Sequence, residues 1–492
     1  MLKKLATLGV GLVGISLMPN AGASMLKDHS LRSGIWVGAA MDSSQPQDQQ
    51  QDLKSHFTAL TSENAFKWSS METFQGQIDF TQTDQMVQFA QDNNFRIRAH
   101  TLFWHRMQNP SWVRDQIESA ADHKTKLLEL MDARISQVVG RYKGRVDIWD
   151  VVNEPLRIDG KGWDIKDGLL GSANFFYLAA GEQYIDYAFA KTRATDPRAK
   201  LFLNEYLSRP ALNDFKSQSL LALLTRLKKR KVPIDGVGLQ LHGFGSVKSP
   251  FFSNSSKELS DYMKAIAKLG LHVEITELDI SLPAVIKDFA APGASDQQHL
   301  KLQANLYGNA AKACAQTSAC SGITVWGLRD KDSWLNSFVP GGPHRPLLLD
   351  DNGSPKPAYT ALAAGLLQRC HGITLNAKLC SEPWPNPQNA GVPYPARTCN
   401  ECVKPALKNN ILKINSLAWK WQRPIQRYSY QWMQSTMSSN SSYVAIHYAT
   451  NSALFKPSHR QHLRWVKVCV RAYNDYGWSA QVCSSPRGPF RS

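Results

Sequence analysis

The chain has 492 residues, more than one hydrophobic core usually organises, so a single small domain is excluded. Its composition, 43% hydrophobic and 20% charged, is ordinary for a globular protein. The net charge of +17 is unevenly spread, because residues 367–492 carry 16 of the 57 Lys and Arg residues and only three of the 40 acidic residues. Residues 24–366 are therefore nearly neutral, and a strongly basic segment follows them.

The first 23 residues have the three regions of a secretory signal peptide. Lys3 and Lys4 precede an apolar run from Leu5 to Met18, and the triplet Ala21-Gly22-Ala23 provides a cleavage site after Ala23. No later apolar run is long enough to span a bilayer. We therefore expect a soluble protein that is secreted to the periplasm or the medium.

Eight apolar runs in residues 24–366 have the character of buried strands, most of them separated by segments with helical spacing. The predicted strands are Gly34–Ala40, Phe57–Thr61, Phe95–Leu102, Val146–Val152, Lys200–Leu203, Gly236–Leu241, His272–Thr276 and Gly322–Trp326. The predicted helices include Lys124–Tyr142, Phe176–Thr195, Ser217–Lys229 and Lys257–Leu269. This alternation predicts the α/β class and a closed (β/α)₈ TIM barrel, in which the carboxyl ends of the strands carry the active site.

Two of these strands end on acidic residues. The run VDIWDVVNEPL, at 146–156, breaks at Asn153-Glu154-Pro155, and HVEITELDI, at 272–280, carries Glu277 and Asp279 near its end. Two glutamates that follow two buried parallel strands favour a mechanism with a carboxylate pair, and glycoside hydrolysis is the chemistry that most needs one.

The other strands also end on polar or aromatic side chains. Any one of them has a plain structural explanation, since a single His or Trp is more often part of the packing than of a site. Seven strands that end in this way on one face indicate a binding cleft. The remaining strand-end residues are Glu63, Asn64, Lys67, Trp68, His100, Trp104, His105, Asn204, Glu205, Tyr206, Gln240, His242, Trp326, Arg329, Asp330, Asp332 and Trp334.

Six ordered motifs resemble those of glycoside hydrolase family ten, the endo-1,4-β-xylanases. They are ENAFKW (63–68), HTLFWH (100–105), WDVVNEPL (149–156), QLH (240–242), ITELDI (275–280) and VWGLRDKDSW (325–334), with PKPAYTAL (355–362) resembling the end of the catalytic domain. The resemblance covers about residues 30–366. It implies a secreted TIM-barrel enzyme that hydrolyses internal β-1,4-xylosidic bonds of xylan with retention of configuration, without a metal or other cofactor.

The resemblance assigns Glu154 as the acid/base and Glu277 as the nucleophile. A retaining enzyme needs its two carboxyl groups about 5–5.5 Å apart, one protonated and the other ionised. Asn153 is suited to hydrogen-bond the 2-hydroxyl of the sugar, and His242 is placed to hold Glu277 ionised.

The resemblance also implies the residues that bind the xylan chain. Glu63, Asn64, Lys67, His100 and Gln240 would bind hydroxyls on the non-reducing side of the cleaved bond, and Tyr206 would hydrogen-bond near the nucleophile. Trp104, Trp326 and Trp334 offer flat apolar faces for pyranose rings, although Trp326 also fits a packing role in the barrel.

Three positions depart from the family pattern. Arg329 adds a cation that we expect to narrow a subsite or to favour acidic side groups on the xylan. The segment between His105 and Trp112 is one residue longer than usual, which makes a role for Gln108 doubtful, and Glu205 stands where aspartate is more typical.

The eight cysteines fit an exported protein with disulfides. Cys314 and Cys320 lie close together before a predicted strand, and Cys469 and Cys483 flank a turn symmetrically. Cys370, Cys380, Cys399 and Cys402 fall in a Pro-rich linker at 367–410, where Cys399 and Cys402 also have the spacing of a zinc or redox pair.

Short alternating runs from residue 411 to the end predict a small all-β, sandwich-like domain at 411–492. They are Leu417–Trp421, Tyr443–Tyr448, Trp465–Tyr473 and Trp478–Cys483, and the last two resemble the final hairpin of a fibronectin type III module. The basic residues of this domain are suited to bind a glycan or an anionic surface, or the domain is a solvated spacer. Without a recognised nucleic-acid motif we expect no nucleic acid partner, and we expect a monomer.

The whole protein is then either a secreted endo-xylanase or a barrel that binds polysaccharide without cutting it. The presence of both glutamates and of their supporting residues favours the enzyme.

Overall fold

The computed structural model describes residues 25–42, 47–106, 108–156, 174–245, 247 and 256–369, and the backbone of short strands between 394 and 483. The predicted signal peptide and the cysteines at 370, 380, 399 and 402 lie outside the described residues. Among the described helices, none is long and apolar enough to cross a membrane.

Eight parallel strands form a closed barrel in the first part of the chain. Each strand pairs with the next, and the last pairs with the first through Trp36 and Gly322. The strands are β1 (Trp36–Met41), β2 (Ala59–Ser62), β3 (Arg96–Ala99), β4 (Ile148–Asn153), β5 (Lys200–Glu205), β6 (Gly236–Leu239), β7 (His272–Ile280) and β8 (Cys320–Val325). Two short strands, Phe103–Trp104 and His242–Gly243, extend the barrel mouth beside β4 and β7. The predicted (β/α)₈ TIM barrel is confirmed.

Helices surround this barrel and bury nearly every strand residue on both faces, which is why the strands are continuous apolar runs. They are α1 (Met25–Ser33), α2 (Gln47–His56), α3 (Trp68–Met71), α4 (Thr81–Asn93), α5 (Ser111–Ser119), α6 (His123–Arg134), α7 (Phe175–Ala180), α8 (Gln183–Thr195), α9 (Phe215–Lys229), α10 (Lys257–Ala267), α11 (Leu282–Phe289), α12 (Asp296–Ala315), α13 (Leu335–Phe338) and α14 (Pro357–Leu366).

Two predicted helices are divided in the structure. The segment 124–142 continues from α6 into a π-helical turn, Ile135–Val139. The segment 176–195 is interrupted by Gly181, whose φ of 58° lies in the left-handed region, so that α7 ends there and α8 starts again at Gln183. The longest described helix, α12, begins with a capping box, in which the hydroxyl of Ser295 accepts from the backbone N–H of Gln298 and the side-chain oxygen of Gln298 accepts from the backbone N–H of Ser295.

The barrel interior changes from apolar to polar along its axis. Trp36, Ala59, Ile148 and Phe202 form a small buried cluster near the amino ends of the strands. Above Phe202 the guanidinium of Arg98, 4.8 Å from the ring, is paired with Asp150 and Glu274. Because these buried charges compensate one another, the strands can carry polar residues towards the mouth without leaving an unpaired charge in the core.

Both glutamate-bearing strands contain a bulge. The pairing of β4 with β5 shifts between Asp150 and Val152, and the pairing of β7 with β8 shifts between Ile275 and Leu278. An inserted residue reverses the inward and outward alternation of a strand. Asp150 and Asn153 therefore both face the interior although they are three positions apart, and the same holds for Glu274 and Glu277.

Cys314 and Cys320, which lie close together in the sequence, form a disulfide bridge with the two Cα atoms 5.3 Å apart. The sequence predicted disulfides but left their connectivity open. The bridge ties the end of α12 to the start of β8.

Loop-closure entropy in the unfolded chain predicts that a bridge over so short a loop contributes about 2 kcal/mol to the free energy of unfolding. We expect the double variant Cys314→Ala, Cys320→Ala to unfold a few degrees lower than the wild type in calorimetry, and an unchanged melting temperature would contradict this.

The described strands of the C-terminal segment are antiparallel, as predicted. They are Tyr394–Pro395, Val403–Lys408, Ile411–Leu417, Trp419–Lys420, Arg427–Ser435, Val444–Thr450, Leu454–Phe455, Trp465–Asn474, Gly477–Trp478 and Val482–Cys483.

Two features of this segment differ from the sequence prediction. Val403–Lys408 lies inside the predicted linker and pairs with Ile411–Leu417. Arg427–Ser435, which the sequence reasoning did not single out, pairs along its whole length with Trp465–Asn474. Cys469 and Cys483 are register partners, so the predicted bridge between them fits the backbone and stays a prediction. The likeness to a fibronectin type III module also stays a prediction.

Candidate active site

Glu277 lies at the barrel mouth and is surrounded by hydrogen-bond donors. Its Oε1 accepts from Nδ2 of Asn204 at 2.6 Å, and its Oε2 lies 3.0 Å from Nε2 of His242. Nδ1 of His100 is 3.9 Å from Oε1. The carboxyl group is therefore almost fully enclosed by groups that favour its ionised form.

The pKa of Glu277 is lowered from its ordinary value. Burial is the largest single influence and acts in the opposite direction, but the charge of His100, the hydrogen bond and charge of His242 and the hydrogen bond of Asn204 together outweigh it. Glu277 is thus a buried anion at neutral pH, as a nucleophilic carboxylate requires.

His242 is held between two carboxylates. Its Nδ1 is 2.9 Å from Oδ2 of Asp279, and this oxygen also accepts from Nε1 of Trp334 at 2.7 Å. Burial lowers the pKa of His242, but Asp279 and Glu277 raise it to about 10. The imidazolium is therefore a fixed positive charge beside Glu277, and the role predicted for His242 agrees with this geometry.

Glu154 follows β4 at a sharp turn of the chain. Its φ of 51° is in the left-handed region, which is uncommon for a residue with a side chain, and its backbone N–H donates to the carbonyl of Asn204 at 2.8 Å. Oε1 accepts from Nε2 of Gln240 at 3.0 Å, and Oε2 lies 3.4 Å from Nε of Arg106. The carboxyl group is thus turned towards the barrel mouth.

A chain of amide hydrogen bonds joins the two glutamates. Nε2 of Gln240 donates to Glu154 and, at 3.3 Å, to Oδ1 of Asn153. The same oxygen of Asn153 accepts at 2.8 Å from Nδ2 of Asn204, which also donates to Glu277. Because every link comes from the end of a different barrel strand or the residue after it, the fold fixes the two carboxyl groups on one surface.

Glu63, Asn64 and Lys67 form a second polar group after β2. Nζ of Lys67 donates to Oδ1 of Asn64 at 2.9 Å, and Nδ2 of Asn64 donates to Asp42 at 3.0 Å. Nε2 of Gln108 donates to the same oxygen of Asn64 at 3.1 Å. Gln108 therefore does reach this group despite the altered spacing of its loop.

The pKa of Glu63 is raised to about 7, first by burial and then by the charge of Asp42. If its ionised carboxylate binds sugar hydroxyls, the KM for a neutral xylo-oligosaccharide should rise several-fold as the pH falls from 8 to 6, because hydrogen bonds to a charged acceptor are the stronger ones. Glu63→Gln, which is neutral throughout, should have a raised KM that no longer depends on pH in this range. Steady-state kinetics would test this, and a variant that keeps the wild-type pH dependence would contradict it.

The predicted aromatic platforms line the same mouth. The ring of Trp334 is 5.1 Å from that of His242, the buried ring of Trp326 is 5.1 Å from that of His100, and Nζ of Lys67 lies 5.2 Å from the ring of Trp104. Tyr206 is stacked on Phe244 with the ring centroids 6.3 Å apart. The roles of these four residues in sugar binding, and of Tyr206 as a hydrogen-bond donor, stay predictions.

The expectation for Arg329 is wrong, because its guanidinium is already occupied. Nε lies 2.7 Å from a carboxylate oxygen of Asp52, and Nη1 lies 2.6 Å from one of Asp48. Only about a tenth of the side chain is exposed. Arg329 therefore links β8 to helix α2 and does not present a cation to a ligand.

Glu205, the other departure, is fully buried. It accepts from the backbone N–H groups of Leu156 and Tyr206 and lies 2.9 Å from Nζ of Lys216. Burial raises its pKa, and the charge of Lys216 acts against this. Its longer side chain thus fastens the loop that follows Glu154.

Four residues of this site received no role from the sequence. Asn204 and Asp279 were recognised only as strand-end residues, and Asp150, which is 3.0 Å from Nδ1 of His100, only as part of a motif. Arg106 was not singled out. Asp279 is two positions from Glu277 on a strand, which puts both on one face and is a signal that could have found it. The partners of Asn204 and Arg106 depend on how separate strands meet.

An ionised glutamate and a second glutamate, carried by two strands to one mouth of a (β/α)₈ barrel that aromatic rings line, define the class of glycoside hydrolases. Comparison with known sequences agrees, since glycosyl hydrolase family 10 matches residues 25–365. The chain belongs to this family.

Several relatives and solved structures are similar to this chain. Endo-1,4-beta-xylanase 3 of Hypocrea jecorina is 36% identical over 309 residues, which are 63% of this chain and 75% of that protein. Beta-1,4-xylanase of Dictyoglomus thermophilum is 35% identical over 326 residues, which are 66% of this chain and 86% of that protein. The structure of xylanase 10B from Thermotoga maritima is 30% identical with a TM-score of 0.59 and covers 70% of this chain and 98% of its own.

Proposed function

We propose that the protein is an endo-1,4-β-xylanase that cleaves internal xylosidic bonds with retention of configuration. The observation that carries the proposal is the chain of amide hydrogen bonds that joins the ionised Glu277 to Glu154 at the barrel mouth. The names of the similar proteins support xylan as the polysaccharide.

In the first step, a carboxylate oxygen of Glu277 attacks the anomeric carbon, and the glycosidic bond breaks. Glu154 donates a proton to the leaving oxygen, so that the shortened chain departs as a neutral alcohol. The ionised Glu277 requires no base of its own, because His242, His100 and Asn204 already favour its charged form. Asn153, adjacent to Glu154 in the same network, is positioned to bind the 2-hydroxyl.

In the second step, Glu154 accepts a proton from a water molecule, which attacks the same carbon from the opposite side. The bond to Glu277 breaks, and Glu277 leaves as the carboxylate with which it began. Two inversions at one carbon give net retention. No metal or other cofactor enters either step.

Incubation with xylan, cellulose and mannan would test the substrate, and NMR of the first products would test the stereochemistry. We expect reducing sugar mainly from xylan, a mixture of short oligosaccharides at early times, and the β-anomer as the first product. Release of α-anomer would refute retention. Binding of xylan without release of reducing sugar would instead support a barrel that binds polysaccharide and does not cut it.

The basic C-terminal segment is proposed to hold the exported barrel on an anionic glycan surface. Its charge supports this, with 16 Lys and Arg against three acidic residues in 367–492. The full chain should sediment with an insoluble acidic polysaccharide and be released by salt, whereas a form ending at residue 369, which retains the whole matched barrel, should stay in solution. Equal sedimentation of both forms would refute the proposal.

Recovery of the protein from the culture medium or periplasm, with Ser24 at its amino end, would test export and the cleavage site.

A further inference from the structure

Arg106 is the basic residue nearest to Glu154 in the described contacts. It follows His105 at the end of the short strand Phe103–Trp104, which pairs with β4 so that Trp104 lies beside Asn153. Nε of Arg106 is 3.4 Å from Oε2 of Glu154, too far for a good hydrogen bond, and it has no hydrogen-bond partner among the described residues. The ion pair is therefore loose.

Arg106 contacts the carboxyl oxygen of Glu154 that takes no part in the amide chain. Oε1 of Glu154 is bound by Gln240, which leads through Asn153 towards Glu277 and the anomeric carbon. Arg106 contacts the other oxygen, Oε2. Since Glu154 donates its proton to the leaving oxygen, a group that contacts Glu154 lies close to the bond that is cleaved.

Neighbouring basic residues do not serve the same purpose. Lys216 is bound by Glu205 at 2.9 Å and by the carbonyl of Tyr206 at 2.5 Å, with 11% of its side chain exposed. Burial, together with the charges of Arg106 and Lys216, lowers the pKa of His105 to about 3, so that His105 is neutral. The side chain of Arg106, by contrast, is 31% exposed.

A guanidinium in this position is suited to one kind of ligand. The hydroxyl groups of a neutral xylose need no cation, whereas a carboxylate matches the planar fork of arginine with two parallel hydrogen bonds. Arg106 also occupies Oε2 of Glu154 in the free site, so that a competing carboxylate would draw the guanidinium away and leave this oxygen for the leaving group.

We propose that Arg106 determines specificity by binding the carboxylate of a uronic acid side group on a sugar beside the cleaved bond. The proposal rests on the proposed xylanase function. It predicts that the enzyme prefers xylan with acidic side groups over the same xylan after its carboxyl groups have been reduced to hydroxymethyl groups. The two substrates differ in charge and hardly in shape, so the comparison isolates the carboxylate.

We expect the wild type to hydrolyse the acidic xylan with a kcat/KM about tenfold above that for the reduced xylan at low salt, and this ratio to fall as salt is added. Arg106→Gln should bring the ratio near one. Arg106→Lys should keep part of it, because charge remains but the fork is lost. Arg114→Gln, on the exposed face of α5, is the matched control and should behave as the wild type.

A ratio that is unchanged in Arg106→Gln, or a wild type without preference, would overturn the inference. Either result leaves the proposed function intact as long as the reduced xylan is still hydrolysed. If the wild type hydrolysed neither xylan, the proposed function itself would be refuted. Circular dichroism of each variant would separate these outcomes from misfolding.

Discussion

Glu277→Ala should lower kcat/KM on xylan by roughly 10⁴-fold or more, because no other group in the site can form the bond to the anomeric carbon. The fold should persist, since Asp279 still compensates the imidazolium of His242 and Asn204 still donates to Asn153. Reducing-sugar release and thermal unfolding would measure the two effects. Wild-type release from this variant would refute the assignment, and Glu118→Ala, an exposed position on α5, is the control.

Sodium azide can distinguish the roles of the two glutamates. In Glu277→Ala, azide fills the space of the missing carboxylate and attacks directly, which gives an α-xylosyl azide from an activated xyloside. In Glu154→Ala, azide attacks the sugar bound to Glu277 from the other side, which gives the β-azide. Exchange of these two products would mean that the nucleophile and the acid/base have been interchanged.

His242→Gln should lower kcat/KM by roughly 100-fold near neutral pH, an effect typical of a group that sets the protonation of a reacting residue. The loss of the imidazolium removes both a hydrogen bond and a positive charge that lower the pKa of Glu277. The effect of burial, which raises the pKa of Glu277, is then less well compensated, and this pKa rises. Because Glu277 must be ionised to attack, the acidic limb of the pH–rate profile should move to higher pH.

The pH profile of kcat/KM, measured beside that of His123→Gln, would test this second prediction. His123 is exposed at the start of α6 and touches no site residue in the described contacts. A profile that loses height without any shift of its acidic limb would mean that His242 only orients Glu277. The pKa of His242, about 10, implies that the wild-type pair persists throughout the neutral range and is lost only as the pH approaches that value.

The local sequence determined the barrel and its reacting residues. Each barrel strand is a short apolar run buried on both faces. A run of consecutive apolar residues indicates such burial, because a strand with one exposed face would alternate apolar and polar residues. Glu154 and Glu277 could be found because a strand that ends on Asn-Glu-Pro, or on Glu-Leu-Asp, interrupts such a run with polar groups that need a reason to be there. The cysteine content likewise indicated disulfides, whereas the pairing of Cys314 with Cys320 came from the structure.

The tertiary structure alone determined which partners the charged side chains have. Arg329 and Arg106 look alike in sequence as cations beside site motifs. Asp48 and Asp52 of helix α2 bind Arg329, whereas the guanidinium of Arg106 lies 3.4 Å from Oε2 of Glu154 in a loose ion pair. Neither partnership can be read locally, because the contacts of Arg329 join residues about 280 positions apart.

The inward alignment of the site also arose only in three dimensions. Strict alternation along a strand would place Asp150 and Asn153, or Glu274 and Glu277, on opposite faces of the barrel wall. A bulge in each strand brings both residues to the inner face. Each bulge depends on how the strand pairs with its neighbour, and that pairing cannot be read from the sequence of one strand alone. The sequence thus determined which residues stand at the ends of the strands. The closure of the barrel decided which way their side chains face and which partners set their pKa values.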